Sequence, residues 1–180
     1  MRSVTVGISD CQFSRDPEEV LVTYALGSCI AVAIYDPVAR VGGLLHFMLP
    51  DSSIDSDGGR QRPFMFADTG VPMLFRRSYE LGADKRRLIV RLAGGAQMMD
   101  ERGVFDIGRR NQMAARKILW QAGVMIESEA VGGNLSRTVR LEMAEGAVWL
   151  RGAGGAEERM GKNARSSRGN GYGVPSVDRG

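Results

Sequence analysis

Between Val20 and Pro50 the chain alternates apolar blocks with short polar breaks. Val20 to Leu26 is apolar and rich in β-prone residues. Gly27-Ser28 interrupts it, and Cys29-Ile30-Ala31-Val32-Ala33-Ile34-Tyr35 then carries a branched residue at every second position. Runs of this length and type, bounded by turn residues, read as strands, and the second reads as a buried one. Asp36-Pro37 opens a turn. Gly42-Gly43 leads into a third apolar run, Leu44-Leu45-His46-Phe47-Met48-Leu49, which Pro50 closes. Asp51 to Arg62, polar and containing Gly58-Gly59, reads as a surface loop.

Farther on, the period lengthens. Asp68 or Thr69 is placed to cap a helix reaching about Leu81, with Pro72 in its first turn and Gly82 as its stop. Arg87 to Leu92 reads as a strand followed by Gly94-Gly95. A second helix is expected from Gly108 to Ala122, because Ile107, Ala114, Ala115, Ile118, Leu119 and Ala122 fall on one face and Gly123 follows. Three short strands complete the body: Val124 to Val131, Thr138 to Met143 and Ala147 to Leu150. After Arg151 the composition turns to Gly, Ser, Asn and Arg, so residues 152–180 are expected to be a disordered basic tail. Residues 1–151 then form one strand-rich α+β domain, with about two helices packed on β-sheet.

Composition narrows the chemistry. The 180 residues hold 24 Lys+Arg, 21 Asp+Glu, two Cys and one His. Five basic and three acidic residues lie in 153–180, so the body is nearly neutral and lacks the concentrated basic face of a nucleic-acid-binding domain. No nucleic-acid partner is expected. No long apolar segment suits a signal peptide or a bilayer span, and the cysteines form no framework; both point to a cytoplasmic protein without membrane insertion. Cys11, Cys29 and His46 cannot make a four-ligand Cys/His zinc site. No metal or organic cofactor is expected.

Any imidazole chemistry must therefore use His46, seventeen residues after Cys29. If the two flanking strands pair as an antiparallel hairpin, one register sets Cys29 directly opposite His46. Another sets Ala31 opposite His46, with Cys29 diagonal on the same face, within roughly 5–8 Å. A one-residue slip puts the two side chains on opposite faces. A neighbouring imidazole is expected to lower the thiol pKa by stabilising the attacking thiolate. Gly27 would allow a sharp turn, and the backbone amides around Gly27 and Ser28 would face an oxyanion. Thr23 offers a hydroxyl to orient the imidazole. On spacing alone, a buried Cys and a core His are the commoner reading of such residues.

The residues around this pair resemble a known family. Leu26-Gly27-Ser28-Cys29, Tyr35-Asp36-Pro37 and Gly42-Gly43-Leu44-Leu45-His46-Phe47-Met48-Leu49-Pro50 are similar to the signature of CheD, the bacterial chemoreceptor glutamine deamidases. Gly94-Gly95-Ala96, Ile107-Gly108-Arg109-Arg110-Asn111 and Gly132-Gly133-Asn134 with Arg137 continue the likeness across roughly residues 3–151. Where the family commonly has Phe before Gly-Gly-Ala, this chain has Ala93. The resemblance implies Cys29 as nucleophile, His46 as base and Thr23 as orienting residue. It also implies hydrolysis of protein glutamine to glutamate through a thioester, without cofactor, and a fold like the catalytic domain of cytotoxic necrotizing factor. Implied partners are the cytoplasmic domains of methyl-accepting chemoreceptors and a CheC-type phosphatase. An alternative is a non-enzymatic adaptor for the same partners.

Other signals carry less. Cys11, in Asp10-Cys11-Gln12, lacks an activating neighbour. Asp51 to Asp57 alternates like a calcium loop, but Ser56 stands where Gly is required and Arg62 where Glu is required.

Overall fold

The computed structural model describes residues 1–98 and 106–161. Ten strands form two five-stranded sheets. The first sheet contains β1 (Arg2–Thr5), β3 (Glu19–Leu26), β8 (Arg137–Glu142), β9 (Ala147–Gly152) and β10 (Glu157–Arg159), side by side in that order. The second runs β2 (Asp10–Ser14), β5 (Val41–Phe47), β4 (Ile30–Asp36), β6 (Ile89–Gly94) and β7 (Ser128–Val131). Helices α2 (Ala67–Glu80) and α3 (Ile107–Gln121) cover the second sheet's outer face, and a short α1 (Ser56–Gln61) precedes them. The α+β, strand-rich architecture matches the sequence pattern.

The second sheet is the middle layer, which explains why β4 and β5 are buried along their whole length. Side chains alternate across a strand, so each strand feeds two cores. Ile30, Val32, Ile34, Leu45 and Phe47 join Val71, Leu74, Ala115 and Leu119 on the helix side. Ala31, Ala33, Tyr35 and Leu44 meet Leu21, Val139, Leu141 and Val148 of the first sheet.

Several local expectations change. Asp51 to Arg62 contains a 3-10 turn (Ser52–Ile54) and α1 rather than an unstructured loop; Asp51 accepts from Ser53 N–H and Asp55 from Gly58 N–H as their caps. Helix α2 begins at Ala67, with Phe66 at its N-cap and no side-chain cap. Asp68 instead accepts from Ser52, and the Thr69 hydroxyl donates to Pro63 O. Pro72 lies inside the helix rather than at its start. Regular structure also continues past Arg151: β10 pairs with β9, and Met160 is buried. The expected disordered tail therefore does not begin at residue 152, and its remainder, 162–180, lies outside the described residues. Among the described residues, no helix is long and apolar enough to cross a membrane.

Candidate active site

Strand phase decides what His46 faces. β4 and β5 pair antiparallel with Ala31 opposite His46, the second of the two same-face registers. Leu45 and Phe47 point to the helices, so His46 points to the first sheet, where it is 1% exposed. Ala31 lies opposite it, and Ala93 opposite Ala31. These two small side chains leave room for the ring. Ala93, the departure from the family pattern, thus packs in the layer that holds the imidazole.

Cys29 lies one residue before β4 and is half-buried against the same inter-sheet core. Thr23, on β3 of the opposite sheet, is fully buried. Its hydroxyl oxygen is 2.8 Å from Val6 O and 2.8 Å from His46 Nδ1. A hydroxyl has one proton, and a carbonyl can only accept. Thr23 therefore donates to Val6 and accepts from Nδ1–H. That assigns the tautomer and leaves the lone pair on Nε2. Among the described residues, buried Nε2 has no hydrogen-bond partner. Thiol and imidazole share a face, and no hydrogen bond joins them in this structure.

The electrostatics differ from the expectation of a thiolate stabilised by imidazolium. Burial holds the His46 imidazole down to about 4, against a smaller upward pull from Asp10. Burial also pushes the Cys29 thiol up. A buried ring that is itself neutral offers no cation to a thiolate, so both groups rest uncharged near neutral pH. Asp10, opposite His46 across β2 and β5, was not evident from spacing. Its carboxylate accepts from Cys11 N–H at 2.7 Å and Gly7 N–H at 3.2 Å, holding the turn that presents Val6 O.

The loop before Cys29 is anchored through its carbonyls. Gly27 O accepts from Ala96 N–H and Cys29 O from Gly95 N–H. Asn111 Nδ2 donates to Ser28 O. Among the described residues, no backbone carbonyl accepts from Ser28 or Cys29 N–H. The positive φ in this stretch falls at Ala25 (54°), in the β3 bulge between Thr23 and Leu26, and not at Gly27. A Cβ at Gly27 would sit 3.0 Å from Cγ of the exposed Met98 side chain. Gly94 and Gly95 have φ of 105° and 61°, and a Cβ on Gly94 would collide with Cys29 O. Arg137 donates to Gly94 O and Gly132 O, tying together two of the glycine motifs. Cys11 lies on the helix side of the second sheet, away from this face.

Fold and site together define a two-sheet α+β protein with a thiol, an imidazole and a hydroxyl at one end of its inter-sheet layer. The family model described as CheD chemotactic sensory transduction matches residues 48–152. A Solibacter usitatus protein named "Probable chemoreceptor glutamine deamidase CheD" is 56% identical over 158 residues, covering 88% of this chain and 94% of its own. A like-named Syntrophus aciditrophicus protein is 54% identical, covering 86% and 97%. One from Anaeromyxobacter dehalogenans is 50% identical, covering 82% and 93%. The chain belongs to the CheD family. Among solved structures, the Bacillus licheniformis hypothetical protein YfiH overlaps 69% of this chain and 51% of its own, at 16% identity and a TM-score of 0.41.

Proposed function

We propose that this CheD-type amidohydrolase deamidates glutamine side chains on the cytoplasmic domains of methyl-accepting chemoreceptors, with Cys29 as nucleophile, His46 as general base and acid, and Thr23 as orienting residue. The observation that carries the reading is the Thr23–His46 hydrogen bond, which leaves the Nε2 lone pair in the layer that Cys29 borders. The names of relatives more than half identical to this chain support the substrate class.

The chemistry starts from two neutral groups. As Sγ attacks the side-chain amide carbon of glutamine, His46 Nε2 takes the thiol proton, and the carbonyl electron pair moves to oxygen. The Ser28 and Cys29 amides, together with the support of Gly27, are the donors for that oxyanion. Nε2 then returns the proton to nitrogen, the C–N bond breaks, and ammonia leaves a thioester. Water, giving a proton to Nε2, adds to the thioester. Collapse expels the thiol, which recovers the proton, and glutamate remains. A transient imidazolium is favoured by Asp10 and by the Nδ1–H bond to Thr23. The Cys29–His46 hydrogen bond forms as substrate binds, since catalytic contacts commonly tighten only in the complex.

The same reading makes the protein cytoplasmic, with a CheC-type phosphatase as a further partner. It also keeps the likeness to the cytotoxic necrotizing factor catalytic domain, which rests on the family resemblance alone. Its test is peptide mass spectrometry of a receptor cytoplasmic fragment incubated with the protein. Wild type is expected to convert particular glutamines to glutamate, and Cys29→Ala to convert none above background. Equal conversion by the two proteins overturns the reading.

A further inference from the structure

We infer that Asn111 is a positioning residue that sets the reach between Cys29 and His46; this rests on the proposed roles of those two residues. The β4–β5 ladder ends at Ile30 opposite Phe47. Beyond that pair the two strands turn to different neighbours. Cys29 O accepts from Gly95 N–H, whereas Met48 and Leu49 N–H both donate to Met65 O. The backbone thus stops holding the nucleophile segment against the imidazole segment just where their spacing matters.

Asn111 closes that gap from a third element. It is fully buried on α3, and its Nδ2 donates to Ser28 O at 2.9 Å and to Met48 O at 2.7 Å. Both neighbours are carbonyls, so the nitrogen, not the oxygen, must face them. One amide nitrogen therefore joins the residue before the nucleophile to the residue two after the imidazole. Gly108 makes the docking possible: a Cβ there would collide with Ala96 O and lie 2.7 Å from Gly95 O. One turn later on the same face comes Asn111, the polar member of a buried stripe otherwise formed by Gly108, Ala115 and Leu119. Two neutral buried groups depend on alignment rather than charge attraction, and a misplacement of about 1 Å costs on the order of 10²-fold in rate.

The test uses the full chain and two readouts, glutamine conversion and iodoacetamide labelling of Cys29, with Cys11 resolved by peptide mapping. His46→Ala sets the labelling floor, expected about tenfold or more below wild type at pH 7, because Nε2 takes the thiol proton as sulfur attacks the iodoacetamide carbon, as it does with the glutamine amide. Asn111→Leu, of similar size but without donors, is expected to label within about twofold of that floor and to lose about 10²-fold in kcat. Its KM should stay within about threefold of wild type, since substrate binding does not use Asn111. Asn111→Ala serves if Asn111→Leu does not give a cooperative melt. Leu119→Ala, a core truncation on the same helix, should keep Cys29 labelling despite comparable destabilisation. Wild-type labelling and kcat in a folded Asn111 variant overturn the inference and leave the Cys29–His46 reading intact. A loss equalled by Leu119→Ala at the same stability also overturns it. Wild-type labelling in His46→Ala overturns both.

Discussion

Cys11 and Cys29 belong to segments on either side of β5, and they differ in which face of the sheet they reach. Cys11, opposite Leu45, points to the helices and sits in a closed aliphatic core at 6% exposure. Burial, and after it the neighbouring Asp10 carboxylate, push its thiol far up. Cys29 lies diagonal to His46 on the other face, at the open end of the inter-sheet layer. The sequence distance to the histidine does not tell the two sulfurs apart; strand phase does. A shift of one residue in β5 would turn the imidazole toward the helices and away from Cys29.

The largest test of that contrast is His46→Ala. It should lower kcat for glutamine conversion by about 10³-fold and slow Cys29 labelling, while Cys11 stays unlabelled in the folded protein. Fast labelling of Cys11 in native wild type would erase the distinction. Thr23→Val removes the acceptor for Nδ1–H and leaves Val6 O without its donor. A buried hydrogen bond lost in this way costs about 1–3 kcal/mol, and a rate loss of about 10–100-fold is expected by the same assay.

Stability against pH reads the buried imidazole itself. The unfolded chain takes up the His46 proton near its ordinary pKa, about 6.5, while the folded chain resists until about 4. Between those values the unfolded state binds more protons, so stability falls as pH is lowered and is complete above about 6.5. Denaturant titrations at pH 5 and 7.5 should show wild type losing about 2 kcal/mol more than His46→Ala. An identical loss in both would place the titration elsewhere. The smallest effect belongs to Cys11→Ala: about 1 kcal/mol of stability and a turnover within twofold of wild type.

Much of the central hairpin was legible. Ile30, Val32 and Ile34 alternate with Ala31 and Ala33, and that period of two marks β4. The sequence left open the register of the hairpin and with it whether Cys29 and His46 share a face. Other features were hidden for identifiable reasons. β1 and β2 have only four and five residues, and β10 three, too short for a period to emerge. α1 is rich in Ser, Asp and Gly, which read as loop until the Asp55 carboxylate is seen capping the helix from the residue before it. Asn111 left one overlooked trace, a polar residue at helical spacing with Gly108, Ala115 and Leu119.

The amino-acid sequence by itself determined the candidate groups, because one His and two Cys leave little choice, and it determined the strands that carry them. Only the tertiary structure decided that Thr23 reaches His46 across two sheets, that Nε2 keeps the lone pair, and that burial leaves thiol and imidazole neutral. Those are contacts between segments 17 and 23 residues apart, Thr23 with Val6 and with His46. Local periodicity fixes which way a side chain points along its own strand, but packing fixes what stands opposite.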